Sequence, residues 1–346
     1  MTDKPTEIEW KRLYAAAEAF RKLAPWEWID DDRVFGVKDP EAGDVYYCGV
    51  LGALSEVFAL VAYEGRAGLY GYLKLLSGEI EEGPQIVEHQ RGLMASFDDR
   101  SYLEADDRAV IRSLGLKFRG KNGWPMFRSY LPGYLPWFVT GAQARVLALC
   151  LEQALDVLPR YRQNPVLLTD PRSGRHLVRV YGAHKGRPEW CDEILQAPPP
   201  PEKTFGDVPV NEVGIARIRR LGKKRGGAWE IGYCYAPMPI QERRDQRPFL
   251  PLLLGIVDHR SGMVLSFQLE QDGKQWRVFR DLILSCLEAQ EIVPENILLD
   301  HDDAEALAAP IAAALGIALH RVRELPAFSE ALAGLTQQLL GSGLKN

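Results

Sequence analysis

A chain of 346 residues is long enough for about two domains, at a prior of ~150 residues each, and each can carry its own core. Hydrophobic residues make up 46% and charged residues 26%, which excludes a disordered, collagen-like or coiled-coil chain. The balance of 42 Lys+Arg against 47 Asp+Glu, net charge -5, excludes a basic nucleic-acid coat protein and leaves room for a local basic patch. The charged opening at residues 1–7 lacks the apolar core of a signal peptide. No run reaches the about 18 apolar residues of a membrane span, since the stretch from Leu307 to Leu319 is short and broken by Pro310. The expectation is a cytoplasmic protein with no membrane association. The cysteines Cys48, Cys150, Cys191, Cys234 and Cys286 are odd in number and never form a C-x-x-C pair, so buried free thiols are expected rather than disulfides or structural zinc.

In chain order, Trp10, Leu13, Tyr14, Ala17 and Phe20 recur at helical spacing and predict an amphipathic helix over residues 5–23. Residues 33–37 and 45–50 are β-formers around a turn-rich segment and predict a hairpin, followed by a strand over 57–63 and a helix over 66–76. Another long helix is predicted over 142–158. The aromatic residues clustered in this half, among them Trp26, Phe35, Tyr47 and Phe58, have no interleaved Lys/Arg, so core packing is expected rather than stacking on nucleobases. The Asp30-Asp31-Asp32 run predicts a solvated turn.

Four consecutive prolines, Pro198 to Pro201, mark a semi-rigid linker. The expected division is an α+β domain over 1–195, a linker over 196–203, a basic approach segment over 204–227 and a second domain over 228–346. Beyond the linker, strands are predicted over 228–236, 250–257 and 263–269, with the turn Asp258-His259-Arg260-Ser261-Gly262 between the last two. Trp276, Phe279, Ile283 and Cys286 mark a helix. A short strand over 296–299 ends at Asp300, Leu307, Ile311 and Leu315 mark the next helix, a strand follows over 317–322, and Pro326 opens the last helix. The order βββαβαβα implies a mixed sheet with helices on its faces, and the fold class of the whole chain is two-domain α+β.

This order, with Trp229-Glu230-Ile231-Gly232, Leu253-Leu254-Gly255-Ile256-Val257-Asp258 and Ile297-Leu298-Leu299-Asp300, resembles the ribonuclease H-like core of integrases and DDE transposases. The resemblance covers residues 226–340. With Gly49-Val50-Leu51-Gly52 and Ala62-Tyr63-Glu64-Gly65, the whole chain resembles a bacterial family of unknown function that pairs two such domains. The resemblance implies a carboxylate in the first strand, one at the end of the fourth and one on a later helix, together holding two divalent metal ions. Asp300 matches the fourth-strand acid, but the first-strand position reads Gly232. Glu230, two residues earlier on the same face, is the candidate substitute. The candidate helix acid is Glu330. With Phe328 at zero on the helical wheel, Leu332 falls at about 40° and Glu330 at about 200°, away from the apolar stripe.

The catalytic candidates are therefore Glu230, Asp300 and Glu330, and the metal candidates Asp300, Asp302 and Asp303, the last two equally explained as helix-start acids. Asp258 and His259 are assigned to the hairpin. Arg217, Arg219, Arg220, Lys223, Lys224 and Arg225 form a concentrated basic stretch among glycines, either a solvated loop or flexible positive charge for a phosphate backbone. The leading expectation is a non-catalytic binding or scaffolding protein on a degenerate ribonuclease H-like domain, without cofactor and with a protein or nucleic-acid partner. The alternatives are a Mg- or Mn-dependent nuclease using the displaced Glu230, and sequence-nonspecific nucleic-acid binding through the basic stretch.

Overall fold

The computed structural model describes residues 3–53, 56–80, 84–184, 187–201, 209–271, 273 and 275–342. The chain is α+β with mixed sheets and divides into two compact units, residues 1–201 and 202–346. Among the described residues no helix is long and apolar enough to cross a membrane.

The first unit opens with α1 (Glu7–Leu23). Thr6 Oγ1 accepts from the Glu9 N–H and the Glu9 carboxylate accepts from the Thr6 N–H at 2.7 Å, so two N–H groups left over at the helix start are satisfied reciprocally. Its buried face carries Leu13, Tyr14, Ala17 and Phe20 of the predicted stripe. Then come β1 (Val34–Lys38), β2 (Val45–Leu51), β3 (Phe58–Glu64), α2 (Gly65–Leu76), β4 (Gly92–Asp98), α3 (Ala105–Ser113), β5 (Trp124–Tyr130), α4 (Gly141–Gln163), β6 (Arg175–His184) and β7 (Arg187–Gln196). They form one sheet in the order β5-β4-β3-β2-β1-β6-β7, with β1 and β6 parallel and the other neighbours antiparallel.

Alternation along the strands divides the faces. Phe35 and Val37 join α1 and α4 in the main core, while Val34 and Tyr47 pack with Leu69 and Tyr72 of α2 on the other side. The aromatic cluster belongs to this packing: the Phe20 and Phe97 rings stack at 6.2 Å, and Trp26 lies 5.2 Å from Phe58. Gln196 is still part of β7, and the Ala197 N–H donates to the Gly174 carbonyl at 2.7 Å. Residues 202–208, which span the end of the expected linker and the start of the expected approach segment, lie outside the described residues.

The second unit contains α5 (Glu212–Arg220), β8 (Lys224–Arg225), β9 (Ala228–Tyr235), β10 (Leu252–Asp258), β11 (Val264–Glu270), α6 (Gln275–Ala289), β12 (Ile292–Val293), β13 (Asn296–Leu299), α7 (Asp302–Leu315), β14 (Ala318–Arg321) and α8 (Pro326–Ser342). Its main sheet has the order β11-β10-β9-β13-β14. β10 is antiparallel to both its neighbours, and β9, β13 and β14 run parallel. This order differs from that of the first unit. Trp229, Ile231 and Tyr233 of β9 face a core shared with α5, α6 and α7. The intervening Glu230, Gly232 and Cys234 face α8, where Leu253, Val257, Leu325 and Phe328 are buried together.

The expected flexible basic loop is not what forms. Asn211 Oδ1 accepts from the Gly214 N–H and starts α5, and Ile215 and Ile218, three residues apart, bury one face of that helix. Lys224 and Arg225 then pair in parallel with Ile292 and Val293.

Candidate functional site

The candidate site lies where β9, β10 and β13 meet α8. β9 and β13 are in parallel register with Leu298 opposite Glu230, so two residues further along Asp300 stands level with Gly232. Gly232 is in turn opposite Gly255 on β10.

The space above the two glycines is filled. A Cβ at Gly232 would stand 2.3 Å from Cδ1 and Cε1 of the Phe328 ring, and one at Gly255 would stand 2.6 Å from Cε2 of the same ring. Both distances are below any ordinary carbon contact, so the glycine pair is the cradle in which Phe328 lies. The ring is 8% exposed and packs with Leu253 and Val257.

Glu230, 0% exposed, has both oxygens engaged. Oε2 accepts from the Phe328 backbone N–H at 2.8 Å, and Oε1 lies 2.7 Å from Nδ1 of the half-exposed His259. A carboxylate at the start of a helix satisfies a spare N–H and complements the positive end of the helix dipole. Glu230 thus fixes the start of α8, and with it the ring of Phe328, over the sheet.

Burial pushes the Asp300 carboxyl above its ordinary value, and nearby Glu230 adds to the push. Its own backbone N–H, His301 and Arg321 pull the other way. His301 caps α7 by accepting from the Asp303 N–H at 3.1 Å and stacks on Tyr233 at 4.9 Å. Asp302 forms an ion pair with Arg321 at 3.1 Å, and Asp303 lies 3.7 Å from His301 Nδ1. Both occupy the first turn of α7, where acids suit the dipole. Glu330 is exposed on α8, whose packed face carries Phe328, Ala331 and Leu332. Among the described residues no group of three His, Cys, Asp or Glu side chains is placed to hold a metal ion. Glu230 and Asp300 are brought to one sheet face and Glu330 is not. Where the resemblance expects the first-strand carboxylate the chain has Gly232, and the space above it holds the Phe328 ring.

Asp258 belongs to the hairpin between β10 and β11. Its Oδ1 accepts from the Ser261 N–H at 2.8 Å and Oγ at 2.7 Å, and the backbone bond from Ser261 leads the causes that hold its carboxyl below the usual range.

The chain joins two domains of unknown function. Residues 10–179 match the family model DUF7309 and residues 214–336 match DUF6930, each described as a domain of unknown function. No curated protein matches the chain. The basic stretch falls in the DUF6930 region and is largely committed to that domain's own helices. Lys223 Nζ donates to the carbonyls of Leu287, Glu288 and Gln290 at the end of α6. Arg225 donates to those of Leu315 and Gly316 at 2.7 Å each, and Arg219 to that of Ala314, at the end of α7. Cations there satisfy the last carbonyls and the negative end of the dipole. Arg217 pairs with Glu288 at 3.0 Å, while Arg220 and Lys224 are exposed.

The DUF7309 region carries a second cationic locus that the chain's linear charge pattern hides. Arg100, Arg108, Arg112, Lys117 and Arg119 line one cleft of about 340 Å³ with Trp124. The signal in the sequence is weak: Arg108 and Arg112 share a helix face at i,i+4, but Glu104, Asp106 and Asp107 interrupt the charge.

Proposed function

We propose that residues 228–346 form a ribonuclease H-like domain whose metal site has been closed, and that the protein works as a cytoplasmic binding module rather than a nuclease. The fold reading is supported by three antiparallel strands followed by two helix-linked parallel ones, in the spatial order β11-β10-β9-β13-β14. The functional reading rests on one observation, the Phe328 ring seated on Gly232 and Gly255. A lost acid alone leaves a vacant pocket that a displaced carboxylate can serve. Here the displaced carboxylate, Glu230, is spent on anchoring the helix that fills the pocket. The reducing location is supported by five free cysteines, three of them buried.

The test is incubation of the full chain with single- and double-stranded DNA and RNA in Mn²⁺. The substrates remain intact. Metal-dependent cleavage that disappears in Asp300→Ala overturns the reading.

A further inference from the structure

The cationic cleft of the first unit lies on residues that the closed sheet of the second does not involve. Arg108 and Arg112 come from α3, Lys117 and Arg119 from the segment after it, and Arg100 from the turn before it. Among the described residues no carboxylate lines the cleft. The acids nearest in sequence are occupied or on the opposite end of α3. Glu104 and Asp107 are held by Arg128, Asp99 Oδ1 accepts from the Asn122 N–H, and Asp106 sits in the first turn of α3. Among the described residues none of the five cations forms an ion pair. Arg108 donates to the Leu103 carbonyl, Arg112 donates to the Arg108 carbonyl at 3.3 Å, and the Arg100 guanidinium lies over the Trp124 ring at 5.8 Å.

Contacts within the fold do not account for all five cations. Like charges one turn apart on a helix oppose each other. The helix dipole explains Arg112 in the last turn and the Trp124 ring explains Arg100, but neither explains Lys117 or Arg119. A concave site lined by one sign of charge concentrates ions of the other. Four of the five cations are arginines, whose planar forks match phosphate oxygens. Ile111, Leu116 and Phe118 supply an apolar floor beside Trp124. The volume of about 340 Å³ is at the small end of ligand sites and admits a compact molecule, not a duplex.

We propose that this cleft binds a small phosphorylated ligand with a planar ring, of mononucleotide size. Its phosphates lie among Arg108, Arg112, Lys117 and Arg119, and its ring lies against Trp124 and the apolar floor. The assignment stands independently of the reading of the second unit.

Calorimetric titration of the full chain with ATP, tripolyphosphate, adenosine and single-stranded oligonucleotides of two lengths tests it. ATP binds saturably at one site, tripolyphosphate binds more weakly and adenosine does not bind measurably. The double variant Lys117→Glu/Arg119→Glu, at two exposed positions after α3, weakens ATP binding at least tenfold while its thermal unfolding matches that of the parent chain. Absence of saturable ATP binding, or unchanged affinity in the folded double variant, overturns the proposal. Tripolyphosphate binding as tightly as ATP overturns the nucleotide assignment. Oligonucleotide binding tighter than ATP and growing with strand length overturns it in favour of nucleic acid.

Discussion

The seat of Phe328 makes Gly232→Ala a costly substitution for a residue in a strand, where alanine is ordinarily the better choice by about 0.5–1 kcal/mol. The added methyl would stand 2.3 Å from two ring carbons, against an ordinary contact of 3.4 Å or more, so the ring must retreat by about 1 Å. It has little room to do so, because Gly255 cradles its other edge and the Phe328 N–H is tied to Glu230. Overpacking of this kind costs about 1–3 kcal/mol. Phe328→Ala alone costs about 3–5 kcal/mol for the lost ring. Together the two changes are not additive: once the ring is gone the methyl fills vacated space, and the coupling should be about 1–3 kcal/mol in favour of the double variant. Urea unfolding followed by circular dichroism measures the cycle, with separate transitions fitted if the two units unfold independently. Additivity within about 0.5 kcal/mol would refute the contact on which the closed-site argument stands.

Four other expectations follow from the structure. Glu230→Ala leaves the Phe328 N–H and His259 without their acceptor and should cost about 3 kcal/mol or more, with Glu230→Gln costing less, measured by the same unfolding. Asp300→Asn should raise the unfolding midpoint at pH 7. A carboxyl whose folded value is raised opposes folding while ionised, so the gain over the parent should shrink as pH falls through the folded value towards the ordinary 3.8. Asp258 behaves oppositely: its folded value is lowered, so its contribution is present above the ordinary value and is lost as pH falls through the folded one, which a pH series on Asp258→Ala reads directly. Lys223→Ala and Arg225→Ala should lower the midpoint without changing oligonucleotide binding, since both side chains cap helix ends.

Much of the fold was legible because local pattern and tertiary role agreed. Trp10, Leu13, Tyr14, Ala17 and Phe20 have helical spacing and form the packed face of α1, and the turn at Asp258 to Gly262 joins β10 to β11 as its composition suggests. Segment α5 is not legible in the sequence because only Ile215 and Ile218 mark its apolar face, and the arginines around them read as a solvated loop. The β6–β7 hairpin is hidden for a similar reason: β7 is largely exposed and shows no clean alternation. Within the site, Gly232 and Asp300 could be aligned from sequence, but the fate of Glu230 could not, since its N–H donor lies 98 residues away. Phe328 anchored the helical wheel of α8, and nothing local says that its ring ends on two glycines from different strands. The cationic cleft is hidden in the sequence because its five charges spread from Arg100 to Arg119 between acids, whereas Arg217 to Arg225 are concentrated in sequence and three of them, Arg219, Lys223 and Arg225, cap helix ends.

Calorimetric titration of the full chain with Mn²⁺, repeated on Asp300→Ala, tests the central claim most directly. A site closed by Phe328, with Glu230 already committed, predicts no saturable heat from either protein. Saturable binding to the parent chain that vanishes in Asp300→Ala would contradict it, and would show that α8 yields to a metal centre.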